Sequence, residues 1–301
     1  MGAAVDVQQG FAVVHGPMLN EAGVLDRLGQ HADNPEMSQS QPHRDPRLRE
    51  VEWRDLTRLT AARKIYEVLL SVPWLVAAIA LFHTRWVTLG LLAAFFFFLT
   101  GLRQAHGAQH YALGIGRRAQ DWVLVILSVL MISSLHALQA THMHHHRHVL
   151  EPDDIESSTA RMSWWRALLA GPWFIVRLHR DGFRLATRRQ RAWIWTEAVA
   201  IACWVIAIAN WAPEGLRWFV AAMIAGECLT GFFAVWTVHH DCELEAQVAR
   251  TQRGAWKNLV SYEMFYHLEH HLFPAVPTSR LPELAARLEK VVPQIVTKQV
   301  F

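Results

Sequence analysis

Cysteine is scarce: three residues in 301, Cys203, Cys228 and Cys242, with no CxxC pair among them. That excludes a disulfide scaffold of the kind small secreted domains need. Cys203 and Cys228 fall inside apolar runs, where a thiol serves as a small packing group. Charge of one sign is also lacking. The net charge is only +3, and no basic repeat or nucleic-acid motif occurs, so a nucleic-acid partner is excluded. No secretory signal peptide opens the sequence. Residues 1–50 mix polar, Gly, Pro and charged residues and read as a flexible arm, most clearly over Asn34 to Asp45. His15, His31 and His43 lie there without partner spacing and read as solvated.

Apolar residues are abundant: 52% of the chain, with 14 Trp, 14 Phe and a mean hydropathy of +0.12. They gather into stretches too long for an ordinary soluble core. Four of these, about Ile65–Phe82, Trp86–Leu102, Ala192–Trp211 and Leu216–Val238, approach the roughly 20 residues that cross a hydrocarbon core. The first pair is separated by His83-Thr84-Arg85 and the second by Ala212-Pro213-Glu214-Gly215, which arranges them as two spanning hairpins. The fold expected is therefore an all-α integral membrane protein, a single domain over 51–301 with a helical cap. Ionisable residues in or near the spans are few: Glu67, Glu197 and Glu227, with no paired line across the bilayer. A transporter normally carries such residues, so metal transport is a remote alternative.

Histidine is clustered: His106-x-x-x-His110, His142-x-x-His145-His146 and His267-x-x-His270-His271. On a helix at about 100° per residue, His106 and His110 lie about 40° apart, and each later group fits within an arc of about 100°. Imidazole is the commonest side-chain metal ligand, and eight in three one-sided groups exceed what one metal uses. His144 and His148 project away from the His142 side and read as supporting or surface residues. Glu269 points away from the His267 side and is not counted as a ligand. His239-His240 ends the last span, and His239 is favoured as a ninth ligand, with Asp241 and Glu243 able to orient an imidazole N–H.

A fifth apolar stretch, about Trp122–Ala140, lies between the first two groups. If it crossed the bilayer it would place them roughly 30 Å apart, whereas a shared metal needs each nitrogen within about 2.0–2.1 Å. The segment is therefore expected to enter and return or to lie along the interface. Its polar residues Ser128, Ser133, Ser134, His136 and Gln139 are consistent with that. With four spans, the external loops hold only Arg85 and Arg217 of the 29 Lys and Arg residues, which puts the histidines on the cytosolic side. The basic groups Arg177-x-x-Arg180 and Arg188-Arg189-x-Arg191 then suit contact with anionic lipid, and more weakly an acidic redox partner.

An all-imidazole site suits zinc, copper, nickel or iron. Zinc hydrolases use three protein ligands plus water, which so many histidines overshoot. The Glu-with-Glu-x-x-His plan of carboxylate di-iron bundles is missing. A histidine-rich di-iron centre is the better fit.

The order HGAQH, HMHHH, HLEHH, the apolar hairpins between them and the sequel HLEHHLFPAVPTSRLPEL resemble the membrane fatty acid desaturase superfamily over about residues 60–290. The resemblance implies two non-haem iron ions, O2 as co-substrate and hydrogen abstraction from acyl C–H bonds; relatives hydroxylate, add keto groups to carotenoids or oxidise alkanes. It implies as ligands His106, His110, His142, His145, His146, His267, His270 and His271, with His239 upstream of the third group. Some members place Asn four residues before that histidine; here the position is Val235. The Glu151-Pro152-Asp153-Asp154 turn also resembles the family, although an exposed acidic helix stop would read the same way. No His-Pro-Gly-Gly haem segment occurs, so electrons are expected from a separate ferredoxin, rubredoxin or cytochrome. A lipid tail is expected between the spans, along a channel that aromatics such as Phe95–Phe98 or Trp236 could line, although those aromatics read more readily as packing or lipid-facing residues.

Overall fold

The computed structural model describes residues 45–243, 247–295 and 298–300. Most of the arm expected over 1–50 lies outside the described residues, as do His15, His31 and His43. Residues Pro46–Glu50 form a 3-10 turn whose Leu48 is buried. Among the described residues the chain is helical, with nothing more strand-like than two isolated bridges.

α1 (Ala61–Leu69) starts at Thr60, whose hydroxyl accepts from the Arg63 N–H. It runs through a one-turn irregularity into α2 (Val72–Phe82), and the 22 residues Ala61–Phe82 are long and apolar enough to span. α3 (Val87–Gln109) follows after a tight connection. At 1.5 Å per residue its 23 residues cover roughly 34 Å, enough to cross a membrane and carry the first histidine group past it. α2 and α3 form the first hairpin. A buried ion pair between Glu67 and Arg103 ties α1 to α3 beside it, and both side chains are 1% exposed. The same pair receives Ser279 N–H on the carboxylate and gives Arg103 Nε–H to the Tyr262 carbonyl, so it also fastens the C-terminal segment to the hairpin.

The 122–140 stretch is not one straight helix. α4 (Arg117–Met131) ends at Ile132 in a left-handed conformation, and α5 (Leu135–His148) leaves at 114° to it. The corner is built around Glu197, which is fully buried. Its carboxylate accepts from the hydroxyls of Ser128 and Ser134 at 2.7 and 2.6 Å, from His136 N–H at 3.2 Å and from His136 Nδ1 at 2.6 Å. A broken helix leaves backbone donors that an apolar setting cannot solvate; this carboxylate takes the His136 N–H, Ser128 Oγ the Leu135 N–H and His179 Nε2 the Ser134 N–H.

After α6 (Trp164–Leu169), α7 (Gly171–Leu185) lies along α5. Gly182 permits that approach: a Cβ there would sit 2.2 Å from the Ala137 carbonyl oxygen. α8 (Arg188–Trp211) begins with a Thr187–Gln190 capping box and is the third helix fit to span. It turns Trp195, Val199, Ile206 and Trp211 outward, each more than half exposed. Apolar residues facing away from the protein over a whole helix mark a lipid-facing surface.

The stretch expected as a fourth straight span, 216–238, is bent. α9 (Glu214–Glu227) and the segment Gly231–His239 meet at 42°, with π-helical residues Gly231–Trp236 leading into α10 (Thr237–His239). Single-turn π segments recur beside functional sites. The remaining chain forms α11 (Ala255–Val260), α12 (His267–Leu272) and α13 (Leu281–Val291). Leu268 and Leu272 of α12 pack with Leu284 and Leu288 of α13 in a second core, separate from the interhelical core of Phe97, Phe98, Phe219 and Met223.

Candidate metal centre

The three histidine groups stand on three different elements: His106 and His110 at the C-terminal end of α3, His142, His145 and His146 on α5, and His267, His270 and His271 on α12. Reciprocal hydrogen bonds bring the first two together, with Gln109 giving its amide to the Leu135 carbonyl and Gln139 giving its own to Gln109. The 114° corner then turns α5 back across the end of α3.

All nine histidines singled out in the sequence meet. Ring nitrogens of His106, His110, His142, His146 and His270 all lie within 4.8 Å of one another, and those of His145, His239 and His271 form a second such group. His267 joins the second group, its Nε2 2.9 Å from that of His239 and 3.2 Å from that of His271. The groups adjoin through α5, where His145 and His146 are successive residues. His240 takes no part: its ring stacks on Trp236 at 4.0 Å and its Nδ1 donates to the Trp236 carbonyl. Glu269 points outward to Thr251 and Arg253.

The nitrogens are set as ligands would be. His239 Nδ1 donates to the Val248 carbonyl at 2.8 Å, so its Nε2 carries a lone pair toward His267. His142 Nδ1 is 2.9 Å from Glu156 Oε1 and His145 Nδ1 is 2.8 Å from Asp154 Oδ2. With Nδ1–H committed outward, their Nε2 atoms face other Nε2 atoms at 2.9–3.3 Å. Opposed lone pairs at that distance repel. Metal–imidazole bonds of about 2.0–2.1 Å on one ion place neighbouring nitrogens roughly 3 Å apart, which is the spacing found. The buried His106 Nε2 has no hydrogen-bond partner among the described residues. Burial, and then the neighbouring imidazoles, hold His267, His270 and His271 well below the ordinary histidine value, so they stay neutral and able to ligate. Burial works against the carboxylates of Asp154 and Glu156. Even so, the imidazoles beside them (His145 for Asp154, His142 and His145 for Glu156) hold both below the usual carboxylate range. These donors fit a pair of transition-metal ions.

One sequence expectation needs correction, and two alternatives that the sequence left open are narrowed. Orientation of His239 falls to the Val248 carbonyl, not to Asp241 or Glu243, because the chain doubles back after the helix; Asp241 pairs instead with Arg250. The Glu151–Asp154 turn is more than an exposed helix stop, since its last residue is buried against His145. The aromatics named for the lipid path do not line the pocket beside the histidines. Phe97 and Phe98 are core residues, and the Trp236 indole donates to the Met162 carbonyl. That pocket, about 60 Å³, has His106, His142 and His267 on one side and Leu138, Leu178 and Val235 among its apolar walls.

The family model for fatty acid desaturases matches residues 84–300. The chain belongs to the fatty acid desaturase family. None of the curated proteins matches it. Membership in this family suggests oxidoreductase chemistry and a membrane setting, and the histidine clusters of this desaturase-family chain fit that chemistry.

Proposed function

We propose that the chain is an O2-dependent, non-haem di-iron oxidoreductase of the membrane that desaturates fatty acyl lipids. The observation that carries this reading is the convergence of nine imidazoles in two adjoining groups beside an apolar pocket. In it, His106, His110, His142, His146 and His270 hold one iron and His145, His239, His267 and His271 the other. The iron pair supplies O2 activation and the abstraction of hydrogen from an unactivated methylene.

The protein's part is positioning. Asp154, Glu156 and the Val248 carbonyl keep Nδ1–H facing outward, so each Nε2 stays available. Leu138, Leu178 and Val235 keep the pocket apolar, which seats a methylene against His106 and His142 and excludes water. Loss of a second hydrogen gives a double bond; placing the methylene slightly differently gives hydroxylation or keto-group formation, the alternative within the family. Two further electrons come from a separate ferredoxin, rubredoxin or cytochrome, because the reduction of O2 to water requires them.

For topology we propose four spans, the bent 214–239 segment being the fourth, with the 117–148 corner entering the membrane face and returning. That places the histidines at the cytosolic mouth, in line with the positive charge held there. Residues 51–301 then form one membrane domain.

The test is mass spectrometry of host lipids with and without the chain, a reducing donor being supplied. Products lacking two hydrogens support desaturation, whereas products gaining one oxygen assign the hydroxylase alternative. An unchanged profile counts against both. His270→Ala should abolish the change, and retained product would remove His270 from the ligand set.

A further inference from the structure

We propose that His144, His148 and Asp153 form a surface site for a divalent ion of the zinc class, with Glu151 beside His148, separate from the nine-histidine centre. The site lies on the outer side of α5, and its argument is independent of the function proposed for the inner one.

His144 and His148 are one helical turn apart, and their rings stack face to face at 4.3 Å and 14°. Immediately after the helix the chain folds back on itself, with Leu150 in a left-handed conformation. The Arg161 guanidinium holds this turn by donating to the carbonyls of Leu150 and Glu151 at 2.8 and 2.7 Å. The fold-back delivers two carboxylates to the two rings. Asp153 Oδ2 is 3.5 Å from His144 Nε2 and 3.8 Å from His148 Nδ1, while Glu151 Oε2 is 2.9 Å from His148 Nδ1.

A solvated ion pair accounts for His148 with Glu151. It does not account for two imidazoles turned toward one Asp153 oxygen at distances too long for hydrogen bonds. Zinc bonds of about 2.0–2.2 Å at the tetrahedral angle separate ligand atoms by roughly 3.3–3.6 Å, which is close to the spacing around Asp153. Two imidazole nitrogens and one carboxylate oxygen, all within 4.8 Å of one another, make a three-donor set that with water suits zinc. The side chains are 17% (His144), 33% (His148), 41% (Glu151) and 59% (Asp153) exposed, so an ion reaches them from solvent. Asp154, next along the turn, is the residue that holds His145. An ion on the outer side therefore braces the turn that orients an inner imidazole.

The test uses the full chain in detergent, loaded with iron and titrated with Zn2+ against a competing chelator. One zinc per chain should bind without loss of iron, and amide hydrogen exchange over 149–154 should slow. His148→Gln, and separately Asp153→Asn, should each weaken zinc binding by at least about ten-fold and remove that slowing, with iron content unchanged. The proposal is overturned if no zinc is retained, if both variants bind it as the wild type does, or if zinc uptake is matched by iron loss. Should the chain hold no iron at all, the difference between wild type and variants still reads the outer site alone.

Discussion

The Nδ1 of His145 lies 2.8 Å from Oδ2 of Asp154, and both side chains are closed to solvent. Ser157 adds a hydroxyl to the same carboxylate, and Leu150 adds a backbone N–H at 3.0 Å. One acidic residue thus fixes the ring of a candidate ligand from nine positions away.

Removing that support should loosen metal without removing a ligand. Asp154→Asn is expected to weaken iron binding at the His145 group by about 10–100-fold, the usual cost of losing such a partner. Chelator competition on the purified chain measures it. Unchanged affinity at both groups would show that Asp154 does not orient the ligand.

His239 and His240 are neighbours with opposite fates, and substitution separates them. His239→Ala should lower iron from about two per chain toward one, because its group holds His145, His267 and His271 but not the other five histidines. His240→Ala should leave iron content intact, since that ring is stacked on Trp236. Elemental analysis of the two variants checks the pair; equal losses would contradict the assignment.

Much of this centre was legible in the sequence because helical spacing puts i, i+3 and i+4 residues on one side. The histidine groups followed from that geometry, and the need for them to meet argued against one straight span over 122–140, where the structure has a 114° corner. What orients the histidines was not legible. Asp154, Glu156 and the Val248 carbonyl arrive through turns, whose side-chain directions no periodicity encodes. The 42° bend after Glu227 was hidden for a similar reason: an apolar run reads the same whether its helix is straight or π-bulged. The pocket walls were not legible: the conspicuous Phe95–Phe98 run is taken up by helix packing, the reading its composition favours, and smaller aliphatic residues stand beside the histidines.

Glu197 should be a polar residue whose loss the fold tolerates poorly. It accepts from Ser128, Ser134 and His136 at the 114° corner, so Glu197→Ala leaves several buried donors without partners. Each such group costs about 1–3 kcal/mol, giving a loss of about 3 kcal/mol or more. Glu197→Gln should lose less, because one carbonyl oxygen remains to accept. Denaturant unfolding in detergent reads both, and an Ala variant within about 0.5 kcal/mol of wild type would deny the corner its anchor.

Cys242 should be slow to react. Burial pushes its thiol up to about 11, and the thiolate is the nucleophile. Folding therefore favours the protonated form. The associated stability is present through neutral pH and is lost as pH rises from about 9 toward about 11. At about pH 8, alkylation of Cys242 in the folded chain should be roughly a hundred-fold slower than in the unfolded chain. Peptide mass spectrometry over time follows it; equal rates would place the thiol in water.

The most direct test of the central claim is the iron content and Mössbauer spectrum of the purified chain, prepared from iron-enriched cells. The account predicts about two irons per chain, present in the oxidised protein as a spin-coupled pair bound mainly by nitrogen. A preparation holding one zinc, or isolated uncoupled irons, would contradict it.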